Sequence, residues 1–166
     1  MTRDQRFVAV HRGGLLDLAR HRLLARWAAE CADHVLPLFA EARPDDDRPH
    51  GAIEATHAWA RGELTVGAAR EAAYRAHAAA REAPEGAARS AARSAGQAVS
   101  TPHMADHALG AAAYAVRAVT AASSASDAEA AGAREAEWQR ERLPAAVRDL
   151  VVSAQDDGTV LGGWRQ

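Results

Sequence analysis

From Leu15 onward, apolar residues recur every three or four positions. Leu16, Leu23, Leu24, Trp27, Cys31, Val35 and Leu38 fall on one side of a 3.6-residue period, while Arg22, Arg26, Glu30 and Asp33 take the other. The rest of the chain repeats this pattern between clear stop signals. The period therefore predicts an all-α fold, a compact single-domain bundle of about six to seven helices. Pro37 lacks the donor that would continue the ladder, which predicts a kink or break there and a further turn over 38–42.

The stretch 44–63 carries both of its ends in its own sequence. Asp45, Asp46 and Asp47 precede Pro49, and negative charge with a first-turn proline marks a helix start. Ala52, Ile53, Thr56, Trp59 and Ala60 then share a face, and Gly62 suits a left-handed cap. Thr65 can cap a third helix over 66–82, whose apolar side is alanine at 69, 72, 73, 76 and 80. Beyond Pro84 a fourth helix, 85–99, offers Ala88, Ala91, Ala92, Ala95 and Gly96. Such thin faces let axes approach to the short end of the usual range, so these two helices should lie close together and centrally.

Thr101 and Pro102 repeat the cap-then-proline pattern and open a fifth helix over 103–122. Ser126 with Glu129 fits a capping box for a sixth, running to Arg142 with Trp138 as its anchor. Pro144 starts a short helix bearing Val147, Leu150 and Val151. Phe7 to Val10 has strand propensity and could pair with 158–161, giving short extended termini. The organisation read from this is one helical domain over 1–152 and a Gly-containing tail over 153–166. Trp164 in that tail either docks onto the bundle or meets a partner.

A length of 166 residues fits one domain. About a quarter of the residues are alanine, and all 20 basic residues are arginine, a bias best read as genome composition. The net charge of −2 gives no overall basic field, so nucleic acid is not the expected partner. Cys31 is the single cysteine, so an internal disulfide and a Cys-based zinc site are ruled out, and a buried, inert thiol in a reducing cytoplasm is expected. No apolar run approaches the roughly 20 residues of a membrane span, and no signal-type h-region opens the chain. A membrane partner is not expected either.

Two polar stripes are the most suggestive constellation. Arg70, Tyr74, His77 and Arg81 follow one another at helical spacing beside the alanine face of the third helix. His103, His107, Tyr114 and Arg117 do so on the fifth, with Asp106 on the flank. If the stripes face each other they form a polar cleft. His103 and His107 at i and i+4, with His77 or Asp106, could hold a metal, but the spacing is weak and a neighbour-bonded histidine is the preferred reading. Asp45, Asp46, Asp47 and Arg48 could meet a basic partner, though capping explains the acids better, and adjacent acids suit calcium poorly. Trp27, Trp59 and Trp138 read as core anchors. Nucleophile-elbow, phosphate-loop and paired-carboxylate patterns are absent, so nothing supports catalysis or a cofactor.

Several of these segments together resemble a known family. The run at 21–36 (His-Arg-Leu-Leu-Ala-Arg-Trp-Ala-Ala-Glu-Cys-Ala-Asp-His-Val-Leu), the segments 44–49, 52–54, 59–63 and 78–81, then 101–107 with 110–114, and Trp138-Gln139 with Leu143-Pro144, are similar to the Imm-5-like immunity protein family of bacterial polymorphic toxin systems. The similarity spans 7–151 in order. It implies a small α-helical cytoplasmic protein that binds and neutralises a cognate toxin, and it brings no catalytic residues with it. The leading expectation is thus a non-catalytic binding protein that occludes a toxin's active surface, with Asp45 to Asp47 suited to a basic nuclease. The alternatives are a small-molecule or metal site in the cleft, and self-association through the alanine faces.

Overall fold

The computed structural model describes residues 4–157, and every regular element among them is a helix. Two 3-10 turns, Gln5–Phe7 and Val10–Arg12, lead into α1 (Leu18–Ala42), α2 (Arg48–Ala60), α3 (Val66–Glu82), α4 (Ala87–Ser100), α5 (His107–Ala122), α6 (Ala128–Glu141) and α7 (Ala145–Asp156). α4 packs against α1, α2, α3 and α5, and so forms the centre. None of the helices is long and apolar enough to cross a membrane.

Alanine explains why so short a helix can sit at the centre. The faces of α3 and α4 bury Ala69, Ala72, Ala76, Ala80, Ala91, Ala92 and Ala95 within the chain. Glycine permits the closest contacts. A Cβ on Gly96 would lie 2.5 Å from the His77 ring, and one on Gly110 would lie 2.8 Å from Gln97 Oε1. The bulk comes from Trp27, Leu24, Phe39, Ile53, Val99, Val147 and Val151, all fully buried.

Local caps account for most boundaries. The Asp17 carboxylate accepts from Arg20 N at 2.8 Å and starts α1, while the Thr65 hydroxyl accepts from Ala68 N and starts α3. Gly62, at φ 81°, closes α2 through its N–H to the Trp59 carbonyl. Pro37 does not break α1, which continues to Ala42. Pro37 and Asp33, whose carbonyl loses its partner, both face solvent, and Val35 and Phe39 are anchored in the core on either side.

Three other local readings are corrected. Phe7 to Val10 is no strand: the 3-10 turns flank one isolated bridge between Ala9 and Leu16, which seats Phe7 and Leu16 in the core. The segment 158–161 lies outside the described residues, as does Trp164. Thr101 caps the end of α4 instead of the start of α5. Its hydroxyl turns back to the Gln97 carbonyl, its own carbonyl accepts from His21 Nε2 at 2.7 Å, and α5 begins only at His107. The capping box at Ser126 is replaced by a Ser124 hydroxyl donating to the Asp127 carboxylate at 2.6 Å. α7 continues through Asp156.

Candidate functional site

The acidic loop between α1 and α2 is tied into the fold. Arg48 donates from Nε and Nη2 to the two Asp46 oxygens at 2.8 and 2.7 Å, and again to Glu82 at 2.6 Å, with Arg43 completing the cluster. Arg48 is thus a structural clasp, joining Asp46 in the loop to Glu82 at the end of α3, while Asp45 and Asp47 stay exposed. The Arg48 hydrogen bonds hold the Asp46 and Glu82 carboxyls below their ordinary values. A depressed folded value means that the stability is present above the ordinary carboxylate range and lost as pH falls through the folded value. Asp46→Asn is expected to cost about 1 kcal/mol near neutrality, a difference that shrinks in acid. Urea titrations across pH check this.

The two polar stripes do not face each other across an open cleft. α4 lies between α3 and α5. The His77 ring sits on Gly96, where Arg93 Nη1 donates to its Nδ1 at 3.2 Å, and Gln97 sits on Gly110 with its Oε1 2.6 Å from His107 Nδ1. Burial, then the nearby Arg93, His107 and Arg81, push the His77 pKa down to about 4. Gly96→Ala should therefore destabilise by about 1–2 kcal/mol despite alanine's helix propensity, because the new Cβ unseats that ring. Adding His77→Ala should recover most of the loss in urea melts. A Gly96→Ala protein as stable as the parent would refute this packing.

What α3, α4 and α5 present outward is a cationic, aromatic face. Arg70 and Arg81 from α3 and Arg117 from α5 are exposed, Arg93 of α4 lies between them, and the Arg117 guanidinium rests 5.2 Å from the Tyr114 ring centre. Among the described residues no carboxylate ion-pairs with these four arginines. Tyr74, 61% exposed, stands on the same stripe of α3. His103 is not on this face as part of an i, i+4 pair, because it belongs to the turn before α5 and borders a cavity beside the N-terminal segment. Among the described residues no group of three or more His, Cys, Asp or Glu side chains is placed to hold a metal ion.

The family described as "Imm-5 like putative immunity protein" matches residues 14–146. The chain belongs to this family. No curated protein and no solved structure matches it. The immunity-family match takes in the acidic loop and the whole arginine face, and it begins after the 3-10 turns that wall the N-terminal cavity.

Within the family segment, two features were not legible in the sequence. Trp138 is only half-buried and stands between two partners: it stacks on His34 at 3.7 Å and 7°, with the Arg142 guanidinium 3.9 Å above its ring. Beneath it, Glu135 is buried, accepting from His34 Nδ1 at 2.8 Å and Gln139 Nε2 at 2.9 Å. Cys31 is buried nearby, and burial, then Glu135 and Glu30, push its thiol well up, so it stays protonated. Glu135, Trp138, Gln139 and Arg142 follow one another along α6 and its cap, but His34 reaches them from α1, a contact that no local pattern announces.

Proposed function

We propose that this chain is an immunity protein that neutralises a cognate toxin by covering its active surface, and that it docks through the outer face of α3, α4 and α5. Family membership supports the toxin partner. The observation that carries the choice of face is a set of four arginines that, among the described residues, pair with no carboxylate and stand beside an exposed tyrosine. Arginine and tyrosine are the residue types that dominate interface energies. An acidic toxin surface would supply carboxylates to these arginines, which the described residues do not. A stable complex would bury about 1,200–2,000 Å² in total, and it requires no chemistry from this chain. The acidic loop is less suited to the role, since Arg48 already neutralises Asp46. A metal or small-molecule site between the stripes also has less support, because His77 and Gln97 fill that space. On this reading the helical domain, with α7 carried through Asp156, acts as one unit in the cytoplasm, where a toxin made in the same cell would have to be met.

The test is a pull-down with the tagged full chain from lysate of its own organism, followed by expression of each retained protein. The reading expects one retained chain that arrests growth alone and is harmless when co-expressed with this protein. Retention of nothing, or only of proteins harmless by themselves, would count against it.

A further inference from the structure

The N-terminal cavity is a second, separate place where the molecule can bind. It measures about 220 Å³ and has apolar walls from Phe7, Leu18, Trp59, Val66 and Met104. For scale, an engineered apolar cavity of about 150 Å³ takes up benzene. The floor is made by two buried rings, His21 and Trp59, whose centres are 4.8 Å apart and whose planes are tilted by 60°. His21 Nε2 lies 2.7 Å from the Thr101 carbonyl, an obligate acceptor, so the ring proton sits on Nε2. Burial favours the uncharged imidazole, which leaves the floor aromatic instead of ionic.

The mouth has a different character. Leu18 is 55% exposed and Val66 36%, an apolar rim left open to water. Arg12 and His11, both exposed, come from the second 3-10 turn, and His103 adds a third basic side chain. Among the described residues no Asp or Glu lines the cavity, and Arg12 makes no ion pair. The occupant that matches an apolar, ring-lined interior with Arg12 at its mouth is a small aromatic body ending in an anion.

We propose that this cavity binds a single-ring aromatic carboxylate, with its ring against His21 and Trp59 and its carboxylate on Arg12. The assignment is independent of the toxin reading. The volume of about 220 Å³ accommodates one ring with its carboxylate, and Arg12 at the mouth favours an anion over neutral and cationic ligands.

Benzoate is the probe, titrated into the full chain while the Trp59 indole N–H is followed by NMR. The expected result is a saturable shift with a dissociation constant of about 1 mM or tighter. Benzamide, of the same shape without the charge, should bind roughly tenfold more weakly or worse, and Arg12→Ala should weaken benzoate by a similar factor. Arg12 lies on an exposed turn, so this variant keeps the fold. No saturable shift at Trp59, equal binding of benzamide, or undiminished binding to Arg12→Ala would each overturn the proposal.

Discussion

Trp27→Ala is expected to remove about 4 kcal/mol of folding stability, a large share of the roughly 5–15 kcal/mol typical of a native protein. Trp27 is 1% exposed, so truncation leaves a void that the alanines around it are too short to fill. It also breaks a chain of hydrogen bonds. Trp27 Nε1 donates to the Gln139 carbonyl at 2.9 Å, Gln139 Nε2 donates to Ala112 O and to Glu135, and Glu135 accepts from His34. α6 buries only Gly132, Glu135 and Gln139, so these bonds are much of what fixes it to α1 and α5. Trp27→Phe keeps most of the volume and loses the donor, and it should cost about 1–2 kcal/mol. Equilibrium urea unfolding separates the two, with hydrogen exchange on α6 expected to rise in both. A Trp27→Ala protein less than about 1 kcal/mol below the parent would contradict the role given to this side chain.

The limits of reading this fold from its sequence follow from which signals are local. The ends of α2 and the start of α3 were legible because Gly62 and Thr65 act on backbone groups within three residues. The alanine faces of α3 and α4 were legible because period alone locates them. The start of α5 was not, because Thr101 is claimed by His21 from α1, a contact that no local rule encodes. Pro37 misled for the same reason, since burial of Val35 and Phe39 outweighs one missing hydrogen bond.

The candidate site divides in the same way. Arg70, Tyr74, His77 and Arg81 do form one stripe, as helical spacing requires, and His107, Tyr114 and Arg117 belong to α5. Their relation across α4 depends on Gly96 and Gly110, whose significance appears only when His77 and Gln97 are seen resting on them. The clasp at Arg48 was hidden because its second partner, Glu82, comes from the far end of α3. The N-terminal cavity draws its walls from the first turns, α1, α2, α3 and the turn before α5, so it had no sequence signature.

The second large effect concerns association. Replacing Tyr74, Arg81 and Arg117 together with alanine removes exposed side chains from both sides of α4, and the fold should survive. Binding to the toxin should weaken by about 100-fold or more, because anchors of these types carry most of an interface's energy. The parent complex should also associate more slowly as salt rises, since the attraction between arginines and toxin carboxylates is screened. Replacing Asp45 and Asp47 with alanine should change affinity by less than about threefold.

The most direct test of the account is the dissociation constant of the complex with the captured toxin, measured for the parent chain, the Tyr74/Arg81/Arg117 variant and the Asp45/Asp47 variant at one salt concentration. Loss of binding confined to the first variant would establish the arginine face as the docking surface. Unchanged binding in that variant, or loss confined to the second, would contradict it.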